Sequence, residues 1–528
     1  MPSIVVASTA EAAPELSVGG VLRRAAGLAP QRAALVGVEA DATRRWSFTE
    51  LVAVADQLAA GLLEAFAPGE RVAVCSPNTA EIVLLQYALA VAGLILVPLN
   101  PTLRDGELEY ALRDCEAAGA FVAVEHRGRE LASIVESLRP GLPALRRVVE
   151  LPDGLGEWYR PAGEIAEPDP GSVVQIQYTS GTTGPPKGVL ITHRGMATTA
   201  SAFSQRTARP PGSVWVNPMP LFHTAGNVLG TLGACWDAAT HVVLPFDAPR
   251  VLRALVDERA DVLSAAPTLL HGLLDASGGP LELPDLEVIV TGGSTLEPAF
   301  VRRVEAGFAA DLLVIYGMTE TCGAALMTSP VDAPADRETT VGKPLPHTDI
   351  KVIDADSGDV AAFGQPGELC VRGARITAGY HGRPDETRRA IDADGWLHTG
   401  DRASMDERGY CRIEGRLKDL IKTGGENVTP SEVEACLAEH DAVARAAVVG
   451  LPDERWGELV TAFVIPAGER HSALAADLRA HCERHLAPFK VPRRWAFVDE
   501  LPLTASSKVQ HARLRERAIA EAELLEAT

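Results

Sequence analysis

Two short apolar runs, Val173-Val174-Gln175-Ile176-Gln177-Tyr178 and Val189-Leu190-Ile191-Thr192, flank Thr179-Ser180-Gly181-Thr182-Thr183-Gly184-Pro185-Pro186-Lys187-Gly188. The β-branched runs predict strands, and the glycines, prolines and hydroxyls between them predict an exposed loop. Such a loop suits a polyanion. Glycine lets backbone N–H groups turn toward a ligand, hydroxyls add donors, and Lys187 adds a mobile positive charge. The common G-x-x-x-x-G-K phosphate loop is excluded, because Pro186 stands where glycine must precede the lysine. A solvated hairpin tip uses the same residue types, so the loop alone leaves both readings open.

The 528 residues, 46% of them hydrophobic, exceed one ordinary core and predict at least two domains. Against 49 Lys and Arg stand 70 Asp and Glu, a net charge of −21, which removes the general basic footprint of a DNA- or RNA-binding chain. Positive charge for a nucleotide must then be concentrated locally. The eight cysteines include no C-x-x-C pair, as expected for free thiols in a reducing cytosol without a disulfide frame or zinc site. No basic-then-apolar leader opens the chain and no apolar run is long enough to cross a bilayer, so a soluble cytoplasmic protein is expected. The Ala/Pro/Ser-rich N-terminus reads as a flexible leader.

Apolar strands such as Arg71–Cys75 alternate with helices, one over 81–92 read as amphipathic and one over 107–115, which predicts an α/β fold with a mainly parallel sheet. Several apolar runs end on polar chemistry: Val288-Ile289-Val290 on Thr291-Gly292-Gly293-Ser294, and Leu312-Leu313-Val314-Ile315 on Tyr316-Gly317-Met318-Thr319-Glu320. Open α/β sheets collect ligands at such carboxyl ends. Taken singly, the glycine turn is also an ordinary strand-to-helix turn, His223 in Pro220–Gly226 also a core or surface histidine, and Asp401 in Thr399-Gly400-Asp401 also a turn residue. His481 and His485, four apart on a predicted helix, read as an exposed face.

In their order, these stretches resemble the motifs of the adenylate-forming superfamily, which includes acyl-CoA synthetases, aryl-CoA ligases, peptide-synthetase adenylation domains and beetle luciferases. Gly367–Gly373, Trp396–Asp401, Gly415–Val428 and Leu501–Gln510 continue the match. The resemblance implies a large multi-lobed N-terminal α/β domain over residues 1–417 and a small mobile α+β domain over 418–528, hinged at Lys418. It implies ATP or AMP contacts from Thr179, Ser180, Gly181, Thr182, Thr183, Gly184 and Lys187. Gly292, Gly293 and Ser294 would lie against adenine, Tyr316 would stack on it beside Gly317 and Met318, and Thr319 would meet the α-phosphate. Asp401 would accept from the ribose hydroxyls, being acceptor-only, and Arg416 would reach ribose or phosphate. Glu320 would hold Mg²⁺, a hard cation that takes oxygen ligands. His223, Thr224, Ala225, Gly226, Gly317 and Gly323 would form the acyl pocket, and Gly424, Gly425 and Glu426 the CoA passage. Lys508 would bridge carboxylate and α-phosphate.

Joining a carboxylate to ATP brings anions together, and two unit charges about 4 Å apart repel by roughly 4 kcal/mol at an effective dielectric near 20. Cationic help is required, and the resemblance implies Lys508, Glu320 through Mg²⁺, Thr319 and His223 as the catalytic set. The implied enzyme is an ATP-dependent carboxylic acid–CoA ligase, forming acyl-adenylate and pyrophosphate, then passing the acyl group to coenzyme A as the small domain swings. Ala225, Gly226, Gly323 and Ala324 suggest room for an apolar acid, bulky or of medium-to-long chain; a homodimer is an open possibility. Two positions depart from the family pattern: Ser507 replaces the glycine before the lysine, and Thr429 replaces a common tyrosine. Ser507 keeps in view an enzyme confined to thioesterifying a preformed adenylate, and a further alternative is an acyl-AMP ligase that loads a carrier protein.

Overall fold

A computed structural model describes residues 2–6, 12–39, 42–179, 186–277, 283–294, 296–423, 426–453, 456–468, 473–503, 509–520 and 526–527. Four sheets organise these residues. The first has the spatial order Gly379–Tyr380, Lys187–Thr192, Val173–Thr179, Ile95–Leu99, Arg71–Cys75, Gly119–Ala123, Arg147–Leu151. Its strands from Ile95–Leu99 to Arg147–Leu151 pair in parallel, the arrangement that helical crossovers impose. Val173–Thr179 also joins in parallel, and the direction reverses only at Lys187–Thr192, which forms with it an antiparallel hairpin closed by Thr179 opposite Lys187. The strands that flank the opening loop therefore form a hairpin, with Gly379–Tyr380 paired along its outer edge.

The second sheet of nine strands is parallel from Ala33–Val38 through Thr240–Val243, Val214–Asn217, Val262–Ser264 and Val288–Gly292 to Asp311–Tyr316. The α/β class read from the sequence is the observed one. A third, antiparallel sheet joins Thr348–Ile353, Gly367–Gly373, Leu397–Met405 and Cys411–Arg416, with Ile4–Val5 on its edge. The predicted leader is thus partly a strand.

Residues beyond Ile421 build a fourth sheet, including the long hairpin of Val443–Asp453 and Gly457–Pro466. Alternation along it feeds two cores: Val448, Val460 and Val464 face one cluster with Leu437, Leu478 and Trp495, while Ala447, Val449 and Phe463 face Leu514 and Ala518. Ser431 Oγ donates to Glu414 O at 2.5 Å, tying this unit to the third sheet.

Two readings fail for one reason. The helix Ala80–Val91 is buried at all twelve positions, so it is not amphipathic. Two of its polar residues have partners inside the protein: Glu81 pairs with Arg44 at 2.5 Å, and Gln86 Nε2 donates to Asn227 O at 2.9 Å. His481 is likewise buried, with Nε2 2.9 Å from Cys436 O, rather than on an exposed face.

Two more buried histidines set an acid limit on the fold. His193 Nδ1 accepts from Val18 N at 3.1 Å, and His241 Nε2 lies 3.1 Å from Asn217 Nδ2. Burial pushes His193 down to about 4 and His241 down to about 3, so both are neutral near pH 7. Unfolded histidine titrates near 6.5, so below that pH the unfolded chain binds more protons than the folded one. Stability should then fall as pH drops from about 6.5 toward about 4, by up to roughly 1.4 kcal/mol per pH unit for each histidine. His193→Asn keeps an acceptor for Val18 and should remove about one proton from that slope, measured by urea unfolding between pH 7 and pH 5. An unchanged slope would show that His193 is not held neutral.

Candidate functional site

The polar ends of three sheets meet around Glu320 and Asp401. The strand Asp311–Tyr316 runs into a 3-10 turn, Thr319–Thr321, fixed by Met318 N donating to Thr321 Oγ1 at 3.0 Å and Gly323 N donating to Met318 O at 3.0 Å. This turn delivers Glu320 with 7% of its surface exposed. A buried carboxylate needs partners, and Tyr380 Oη donates to Glu320 Oε1 at 2.9 Å. Lys187 Nζ lies 5.1 Å from the centre of the Tyr380 ring. Sequence reasoning missed Tyr380, which lies between two recognised motifs and belongs to neither.

Asp401, 5% exposed, is held from two sides: Tyr316 Oη donates at 2.5 Å to Oδ2, and Arg416 Nε lies 2.7 Å from Oδ1. Burial first, and then the Asp401 charge, push the Tyr316 phenol well above its ordinary range, so it remains a donor. Tyr316 was expected to stack on adenine and Asp401 to receive two ribose hydroxyls. A ribose approaching Asp401 would share it with these two donors, each oxygen having two lone pairs. Partial burial lowers the Lys418 pKa, with Arg416 and Lys187 opposing its charge and Asp419 and Asp401 favouring it. Lys187, Arg416 and Lys418 thus concentrate cations in an acidic protein, as an anionic ligand requires.

The segment 217–227, which carries His223, is shaped by buried amides that the sequence reading did not single out. Asn78 Oδ1 accepts from Leu221 N at 2.9 Å, Gln177 Nε2 donates to Phe222 O at 2.8 Å, and Asn217 Nδ2 donates to Gly226 O at 3.0 Å. Asn227 Nδ2 reaches Leu221 O at 3.0 Å and Gln175 Oε1 at 3.3 Å. The signal was available: Gln175 and Gln177 alternate on a β-branched strand whose neighbours are apolar. His223 leads through Thr224 into a π-helix, Ala225–Leu232, a form of helix frequent at functional sites.

The glycines of this segment do not supply room. A Cβ on Gly226 would lie 2.2 Å from Pro220 O, and one on Gly317 would lie 2.3 Å from Gly323 O. Gly323 has φ +94° and faces Thr224, where a Cβ would approach Cβ to 3.1 Å. Gly292 similarly faces Ile315 O, at 2.2 Å from a built Cβ. Gly226, Gly317 and Gly292 permit backbone to meet backbone, which corrects the reading of Gly226 as pocket space, while Gly323 faces the Thr224 side chain.

Of the other expected groups, Thr319, Met318 and Gly292 lie half-buried beside Glu320 or at the adjacent strand end, while Gly293 and Ser294 are exposed there. Thr179 Oγ1 donates to Lys187 O at 3.4 Å, closing the hairpin. Ser180, Gly181, Thr182, Thr183, Gly184, Gly424, Gly425 and Lys508 lie outside the described residues, and Glu426 is described only as backbone in the strand Glu426–Val428. Among the described residues, Glu368, Cys370 and His398 stand at metal-ligand spacing. Hydrogen bonding accounts for them: His398 Nδ1 is 2.9 Å from Glu368 Oε2, and Gly400 N donates to Glu368 Oε1 at 3.0 Å, bracing the turn before Asp401.

The pattern described as AMP-binding enzyme matches residues 22–381, and that of the AMP-binding enzyme C-terminal domain matches residues 432–508. The chain is 34% identical to YngI of Bacillus subtilis (strain 168), over 95% of this chain and 97% of that protein. It is 32% identical to the mitochondrial medium-chain acyl-CoA ligase ACSF2 of Rattus norvegicus, over 95% of this chain and 87% of that one. Among solved structures, ATP-bound MatB from Rhodopseudomonas palustris superposes with a TM-score of 0.86 at 27% identity, covering 95% of this chain and 99% of the other. The anthranilate CoA ligase AuaEII with anthranoyl-AMP gives 0.86 at 28%, covering 96% and 98%.

A hydrogen bond to a charged group contributes about 1.5–3 kcal/mol, so Tyr316→Phe, which removes a donor from Asp401, should weaken ATP binding at least about tenfold. Calorimetric titration with ATP in the absence of an acid substrate measures this. Unchanged affinity would show that Asp401 does not depend on the phenol.

Proposed function

Because the chain belongs to the AMP-binding enzyme family, we infer that it is an ATP-dependent, AMP-forming acyl-CoA ligase acting on a small carboxylic acid. The observation that carries this is the convergence of Lys187, Glu320, Asp401, Arg416 and Lys418 at the strand ends, in a chain similar over 95% of its length to acyl-CoA ligases. The chain meets the electrostatic barrier with fixed groups. Lys187, Arg416 and Lys418 draw in the nucleotide charge, and Asp401 with its two donors orients the sugar. His223, on a segment anchored by amides, is proposed to shape the carboxylate side of the acyl pocket. It need not remove a proton, since the acid enters ionised.

Mg²⁺ is proposed at Glu320. A nearly buried carboxylate with one oxygen steadied by a phenol fits an ion that prefers hard oxygen donors. When bound there, the ion would neutralise phosphate charge. Lys508 is proposed to bridge carboxylate and α-phosphate, and Gly424 and Gly425 to leave passage for coenzyme A; both rest on motif order. An apolar acid of medium chain length is the proposed substrate, supported by the similarity to the rat medium-chain ligase. A cytoplasmic location is part of the proposal, supported by eight cysteines that are all free.

The test supplies acetate, octanoate, dodecanoate and benzoate in turn with ATP, Mg²⁺ and coenzyme A, following pyrophosphate and thioester. Each methylene in an apolar pocket contributes about 1–3 kcal/mol, so octanoate should exceed acetate at least about tenfold in kcat/KM. Preference for acetate would overturn the substrate class. Thioester formation only from supplied acyl-AMP, without pyrophosphate from any acid, would instead identify the thioesterification-only enzyme that Ser507 keeps in view. Gly424→Trp should abolish thioester while leaving pyrophosphate release within about twofold. Equal loss of both would refute the division of labour.

A further inference from the structure

The segment Thr377–Arg383 lies outside the stretches by which the site was read, yet it touches several of them. Thr377 N donates to Glu320 O at 2.8 Å, and its Oγ1 donates to Leu190 O at 2.7 Å. Gly379–Tyr380 pairs with Leu190 and Val189, and His381 N donates to Gly188 O at 2.8 Å. Arg383 Nη2 donates to Tyr110 Oη at 2.8 Å, and Tyr110 Oη donates to Pro186 O at 2.9 Å. The segment therefore grips the closing end of the phosphate hairpin along one edge and the Glu320 turn along the other.

Tyr380 is the only one of these residues whose side chain meets a charged group of both parts, among the described residues. Its hydroxyl donates to Glu320 and its ring lies beside the Lys187 ammonium. Its own placement is fixed: Tyr380 N donates to Thr387 Oγ1 at 2.9 Å, and Gly379, at φ +124°, could carry a Cβ only 2.6 Å from Thr387 Cγ2.

A lysine and a nearly buried carboxylate so placed have an obvious alternative, a direct ion pair that would withdraw both from a ligand. Among the described residues Lys187 and Glu320 make no such pair within 4.0 Å. We propose that Tyr380 is a positioning residue that keeps them apart and available, its ring face holding Lys187 for the nucleotide phosphates and its hydroxyl holding Glu320 for the divalent cation. Loss of the hydroxyl frees the carboxylate to turn; loss of the ring also frees the lysine to reach it.

The proposal rests on the ATP-dependent ligase reading, and binding measurements separate the two. The full chain is titrated with ATP by calorimetry, with and without Mg²⁺, for wild type, Tyr380→Phe and Tyr380→Leu, with Lys187→Met added to wild type and to Tyr380→Leu. Tyr380→Phe should leave metal-free ATP affinity within about twofold while raising the Mg²⁺ concentration for half-maximal enhancement about tenfold. Tyr380→Leu should further weaken metal-free ATP binding about threefold, and in that background Lys187→Met should have less effect than in wild type. An unchanged Mg²⁺ requirement in Tyr380→Phe, or additive effects of Lys187→Met and Tyr380→Leu, would overturn the proposal. If Tyr380→Leu does not fold, Tyr380→Phe decides alone. Failure of wild type to bind ATP would instead overturn the ligase reading.

Discussion

One buried carboxylate joins two sheets at their polar ends. Asp401 comes from the third sheet, as does Arg416 across from it in register, while Tyr316 ends a central strand of the second. At 5% exposure Asp401 must be partnered to remain charged, and its two donors come from opposite sides of the junction. The geometry of the strand ends, and of Glu320 four residues beyond Tyr316, is set against this joint. Glu368 adds a brace from behind, accepting from Gly400 N and contacting His398.

The polar interior extends beyond that joint. Asn78, Gln177, Asn217 and Asn227 bond the backbone of 217–227, and Gln175 Oε1 accepts from Asn227 Nδ2. An unsatisfied buried amide is destabilising by about 1–3 kcal/mol, so the network is rigid only if complete. It turns an irregular stretch, with two prolines and a π-helix, into a fixed wall for His223.

Much of the fold was legible. β-branched runs ending in glycine and hydroxyl clusters located the hairpin, and apolar runs ending on Gly292 and Glu320 located the strand ends, because burial on both faces leaves no polar residues in such strands. Periodicity misled where buried polar groups have internal partners: Glu81 and Gln86 gave a helix an amphipathic look, and His481 looked solvent-facing. Both failures confuse polarity with contact to water. Tyr380 was invisible for another reason, since its importance comes from two groups far away in the chain that only the sheet edge brings together. The roles of Lys508, Gly424 and Gly425 rest on motif order alone.

The glycines around the acyl segment have a consequence for how such a protein can change. Because Gly226 lies against Pro220 O and Gly317 against Gly323 O, enlarging either would break the wall without narrowing the space behind it. The space a side chain would need at Gly226 and Gly317 is already taken by backbone, so both positions serve the scaffold.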